Sequence, residues 1–146
     1  MTTPQETTQF DFWLGDWEVF TPAGKRVGTN QITSLFGGRA LAESWEGAGD
    51  VHGRSLNAWD AARGVWHQTW VDSTGSLLLL DGGMCDGSMV MEGTAPSDDD
   101  PHVVQRHRIS WTPSADGNEV RQLWEVSSDQ GSNWEVAFDG RYRRKV

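Results

Sequence analysis

The sequence predicts an all-β domain: about ten short strands closing into an antiparallel up-and-down β-barrel, with a short N-terminal helical turn shutting one end. Three observations carry this reading. The 146 residues hold nine tryptophans, one tyrosine and seventeen glycines, the profile of a turn-rich fold with a large aromatic interior. Strand-length segments follow one another with only short turns between them, which makes an antiparallel meander. No segment reads as a helix long enough to cross between parallel strands, and closing the meander removes its exposed edges.

Residues 1–9 read as a polar, flexible tail, and 10–146 as one barrel domain. The length suits a single domain that buries a core without staples. FDFWLGDW (10–17) reads as one helical turn with Gly15 permitting the exit, and WEVF (17–20) opens the first strand. Strands follow at 25–36, 40–47, 53–60, 65–72, 76–82 and 88–95, punctuated by TPAG, GGR, AARG, STG and GMCDG. The polar loop 96–102 leads into the last three strands, 103–111, 119–127 and 133–144, which are joined by TPSADGN and SDQGS.

Formal net charge is −9. That balance argues against a nucleic-acid partner, which calls for a basic face. The longest apolar run, Leu77–Leu80, is too short to cross a membrane. The first nine residues lack the basic and apolar regions of a secretory leader. The lone Cys85 precludes an intramolecular disulfide. Together these give the expectation of a cytoplasmic protein.

Alternate strand residues face opposite sides. In the last two strands, Arg121, Leu123, Glu125, Glu135, Asp139, Arg141 and Arg143 form the outer set. Gln122, Trp124, Val126, Trp134, Val136, Phe138 and Tyr142 form the inner one. The same alternation turns Val103, Gln105, His107, Ile109 and Trp111 inward and Arg106 and Arg108 outward. Upstream, Ser55, Asn57 and Trp59 share the inner face with Trp66, Gln68 and Trp70, and Asn30 and Ile32 with Glu43 and Trp45. The expected interior is a tryptophan wall carrying polar groups. Such groups need partners, which can be each other, water or a ligand.

Several residues bear chemistry. A buried Glu43 would have a raised pKa and suit acid–base work, or would serve as a structural partner. An inward His107 would be a base, a ligand to haem iron, a hydrogen-bonding group or a satisfied core histidine. His52 and His102 fall in loops and His67 outside. His102 with Asp98, Asp99 and Asp100 reads as a solvated loop, so no metal is expected, and Cys85 reads as a bystander thiol.

Gly15-Asp16-Trp17, entered from a helical turn, resembles the Gly-x-Trp signature of lipocalins and their calycin relatives. More of the chain is similar to lipocalin-like bacterial proteins of unknown function that begin with Phe-x-Phe-Trp-x-Gly-x-Trp. The matching stretches are FDFWLGDWEV, GTNQI, LAESWEG, GRSLNAWD, GVWHQTWVDSTG, RQLWEVSSDQGSNW and FDGRY. The resemblance implies a calycin barrel with Gly15 and Trp17 at the floor and a basic residue of the last strand, Arg141 or Arg143, over the Trp17 ring. Ten strands fit the fatty-acid-binding-protein or nitrobindin arrangement, and the latter implies haem as a possible cofactor held by a histidine. Fold alone supplies no activity.

The functional expectation is a container for a small, largely apolar or aromatic ligand with a polar group. Asn30, Asn57, Gln68, His107 and Gln122 would orient that group, and Trp45, Trp59, Trp70 and Trp124 would wall it. The alternatives are a cavity enzyme (isomerase, cyclase or hydrolase) using Glu43 or His107, a nitrobindin-like haem protein, and a filled barrel acting as an interaction module in a homodimer.

Overall fold

The computed structural model describes residues 5–145. The ten strands are β1 (Gly15–Phe20), β2 (Arg26–Leu35), β3 (Ala40–Gly47), β4 (His52–Asp60), β5 (Val65–Asp72), β6 (Leu77–Cys85), β7 (Ser88–Pro96), β8 (Val104–Pro113), β9 (Glu119–Ser127) and β10 (Glu135–Arg144). Each pairs antiparallel with its sequence neighbours, and β10 returns to β1 to close the barrel. No strand therefore keeps an unpaired edge along the sheet, the benefit for which closure was expected. Among the described residues no helix is long and apolar enough to cross a membrane.

The segment before β1 is more structured than a tail. Residues Gln5–Thr8 form a 3-10 turn with Thr7 buried, and Gln9 Oε1 accepts a hydrogen bond from Trp66 Nε1 at 3.0 Å. Residues 1–4 of the expected tail lie outside the described residues. A second 3-10 turn, Asp11–Trp13, sits under the barrel and carries Phe10 and Trp13 into its floor. Phe10 stacks on Trp13 at 4.8 Å and meets Trp66 and Trp111 edge-on at 5.7 and 5.2 Å. All four rings are fully buried. Burying each such side chain contributes roughly 1.5–3 kcal/mol, and each ring pair about 0.5–1.5 more.

Arg144 covers Trp17; Arg141 and Arg143 do not. Its guanidinium carbon lies 4.2 Å from the ring centroid, and its Nη1 donates to Leu14 O at 2.8 Å. Parity is the reason. Tyr142 and Arg144 fall on the inner face of β10, whereas Arg141 is exposed and Arg143 stacks outside on Phe20. Gly15 makes room for this closure. Its φ is +138°, and a Cβ there would stand 2.4 Å from Arg144 Nη1.

A β-bulge corrects a second expectation. The β9–β10 register shifts between Val136 and Phe138, so the strand's alternation changes phase there. Phe138 and Tyr142 stay inside as expected, but Val136 is 61% exposed and Trp134 lies outside, its ring under the Arg108 guanidinium at 4.0 Å. Two smaller corrections concern turns. GMCDG belongs mostly to β6, whose turn comes at Asp86–Gly87. His52 opens β4, where it pairs with Glu46, and is not in a loop.

Candidate functional site

Above the aromatic floor the barrel holds a cavity of about 210 Å³. Its inner end is polar: Glu43 from β3, Gln68 from β5, Gln122 from β9 and Tyr142 from β10. Its outer end is aromatic, with Trp45, Trp70, Trp124 and Phe138. Val51 and Ala137, both exposed, lie where it meets solvent, and Asp72 joins the rim.

The polar end is a directed hydrogen-bond chain. A carboxylate only accepts, and Glu43 accepts from Ser55 Oγ at 2.6 Å and from Asn30 Nδ2 at 2.7 Å. Because Ser55 gives its proton to Glu43, it accepts from Asn57 Nδ2 at 2.9 Å. Asn57 Oδ1 then accepts from Gln68 Nε2 at 2.7 Å. On the other side, Asn30 Nδ2 also donates to the Tyr142 hydroxyl at 2.9 Å, which donates to Gln122 Oε1 at 2.6 Å. The chain thus fixes what the two glutamines have left over. Gln68 retains Oε1, an acceptor, and Gln122 retains its Nε2 donors; neither atom bonds another described residue.

Burial raises the Glu43 pKa above the ordinary glutamate range, and hydrogen bonds from Ser55 and Asn30 oppose it. Tyr142 is pushed well above its ordinary value, first by burial and then by the nearby Glu43 charge. Asp72 goes the other way. Burial works against its charge, but hydrogen bonds from Thr74, Trp70 and the backbone together hold its carboxyl below the usual aspartate range.

The aromatic end is held open by its surroundings. Trp45 lies against Gly28, Trp70 against Gly53 and Phe138 against Gly140. A Cβ on those glycines would stand 2.7, 2.0 and 2.5 Å from the nearest ring atom. Two indole N–H groups are also tied down. Trp70 Nε1 donates to Asp72 Oδ2 and Trp124 Nε1 to His107 Nδ1, each at 3.0 Å.

The structure brings Trp45, Gln68, Trp70, Gln122 and Trp124 together around this cavity, with Glu43. Asn30 and Asn57 stand behind it in the hydrogen-bond chain and do not line it. Trp59 belongs to the floor, edge-on to Trp66 at 6.4 Å. His107 lines a neighbouring space of about 430 Å³ that shares Trp70, Leu78 and Trp124 with the first. Sequence reasoning did not single out Asp72 or Tyr142 as site residues. Asp72 shares the parity of Gln68 and Trp70, and Tyr142 is the only tyrosine and was placed inside, so both signals were present.

His107 does not fit a haem-iron ligand. A ligating histidine binds through one nitrogen and donates from the other to an acceptor. Trp124 Nε1 is only a donor, so His107 Nδ1 must be unprotonated and the proton sits on Nε2, the nitrogen left to face a metal. Burial lowers the His107 pKa, against an opposing pull from Asp98, which favours this neutral form. Among the described residues no group of three or more histidine, cysteine or acidic side chains is placed to hold a metal ion.

No family model and no curated protein matches this chain.

Proposed function

We propose that this chain is a calycin-like container that binds a small, largely apolar or aromatic molecule through its barrel cavity. The observation that carries the reading is the two-ended lining: four aromatic rings outside, and a polar end whose two glutamines keep one acceptor and one set of donors unused. Apolar walls with a few convergent polar groups are the usual build of a ligand site. Core packing alone has no use for rings seated on glycines around an open space. The exposed, unpaired Cys85 supports a cytoplasmic setting.

Native mass spectrometry of freshly purified protein tests this, followed by tryptophan-fluorescence titration with apolar and aromatic small molecules. A co-purifying molecule, or saturable quenching weakened in Trp124→Ala, is the expected result. A clean mass with no quenching by any class would overturn it.

A second reading is favoured by Glu43 alone. A buried carboxylate with a raised pKa at the inner end of a cavity is equipped for proton transfer. Under that reading, Glu43→Gln abolishes turnover of the bound molecule while leaving it bound. His107 lines the neighbouring space and not this cavity.

A further inference from the structure

We propose that the cavity recognises a small organic ammonium ion, an amine or quaternary ammonium head on an aromatic or aliphatic body. The inference rests on the container reading and specifies the polar group of its ligand. The sign of the cavity is the first argument. Its lining includes Glu43 and Asp72, and among the described residues no lysine, arginine or histidine contributes to it. A carboxylate head would enter beside two acids with no counter-charge, which is the costly way to bury an ion. A cation meets compensation from both, and the chain's net charge of −9 draws it in.

The walls are the second argument. Trp45, Trp70, Trp124 and Phe138 line one space, and aromatic rings attract cations electrostatically, tryptophan most strongly. Trp45 and Phe138 stand edge-to-face at 6.0 Å and 77° and are not stacked. The rings are set in advance: three lie on glycines, and Trp70 and Trp124 are anchored through Nε1. A preset site spends less of its binding free energy on ordering side chains.

The third argument is Gln68. Its Nε2 is committed to Asn57, which leaves Oε1 as an accessible acceptor on the cavity side. A protonated amine supplies an N–H donor to it; a quaternary ammonium, which has no N–H, is held by the acidic groups and the rings alone, and a carboxylate cannot donate.

The test is a matched series on the intact protein: benzylamine, benzyltrimethylammonium, benzyl alcohol and benzoate, titrated by tryptophan fluorescence at neutral pH and low salt. Both cations should bind roughly tenfold or more tighter than the alcohol, with benzoate weakest. Salt should narrow the gap. Asp72→Asn, an isosteric change at the rim, should cut the amine-to-alcohol ratio several-fold. It keeps the test alive if Glu43→Gln disturbs the buried chain. An alcohol or benzoate that binds as tightly as the amine would overturn the ammonium assignment and leave the container standing. Failure of all four, and of neutral aromatics of other sizes, would overturn both.

Discussion

At the floor of the barrel, Phe10, Trp13, Trp66 and Trp111 lie ring against ring with no solvent exposure. At the mouth, Trp45, Trp70, Trp124 and Phe138 are only partly buried and face a space of about 210 Å³. The residue types are nearly the same. What differs is the partner under each ring. Floor rings rest on other rings, so the volume is filled. Three of the mouth rings, Trp45, Trp70 and Phe138, rest on glycines, two of them on a neighbouring strand, and the middle stays open. Aromatic content therefore makes a filled core at one end and lines an open cavity at the other, where three of the rings lie against glycines.

The comparison breaks most visibly under truncation. Trp13→Ala should cost about 3–5 kcal/mol, because it deletes a large, fully enclosed side chain and leaves a cavity. Trp124→Ala should cost only about 1 kcal/mol while weakening ligand-induced quenching, which Trp45 and Trp70 still report. Urea unfolding followed by circular dichroism would rank the two. Equal costs would mean that the mouth is structural core like the floor.

A glycine test comes next in size. Gly53→Ala drives a methyl group into the Trp70 ring, with 2.0 Å to the nearest atom, and should destabilise by about 1–3 kcal/mol and shift the emission spectrum. Gly83→Ala is the control, since a Cβ there meets nothing within 4 Å. If both variants behaved alike, the seating of Trp70 on Gly53 would not matter.

The strand order, the aromatic floor and most inward-facing residues were legible, because a period of two and turn-forming residues are local signals. Height along the barrel was not. Trp66 and Trp70 share a face, yet Trp66 sits opposite Gly82 in the floor and Trp70 opposite Leu78 at the mouth. That separation depends on register across strands. The same limit hid the pairing of Trp45 with Gly28 and of Trp70 with Gly53, whose partners lie on neighbouring strands. A single inserted residue near Val136 turned Trp134 and Val136 outward, and alternation read from sequence cannot show such a bulge. The basic cover of Trp17 was anticipated as a residue type. Its position at Arg144 followed from inner-face parity at the very end of β10.

Arg144 offers a smaller test, at the floor. Arg144→Leu removes the cation over Trp17 and the donors to Leu14 O and Gly117 O, and should cost about 1–2 kcal/mol. Arg141→Leu, on an exposed side chain, should change stability by less than about 0.5 kcal/mol. A thermal melt of each separates them, and a larger loss in Arg141→Leu would move the closure back to that residue.

The subtlest difference between the two ends is in their response to pH. The four floor rings do not titrate, so the cost of Trp13→Ala should be the same at every pH. The cavity end carries Glu43 and His107, and their slopes oppose each other. Glu43 has its folded pKa raised by burial. Between the ordinary glutamate range and that raised value, the folded protein binds more protons than the unfolded chain. Stability from this group therefore falls as pH rises through the window, and its burial cost is complete above it. His107 has its folded pKa lowered, chiefly by burial. The unfolded chain binds more protons between that value and the ordinary histidine range, so stability is lost as pH falls through that window. Protonation also turns Nδ1 into a donor and breaks the bond from Trp124. Glu43→Gln should therefore gain on the wild type as pH rises, and His107→Gln should gain as pH falls. Urea midpoints across roughly pH 4–8 would show it. A Glu43→Gln difference that stays flat would mean that the carboxylate titrates as if in water, and the inner end of the cavity would then be wetter than its hydrogen-bond chain implies.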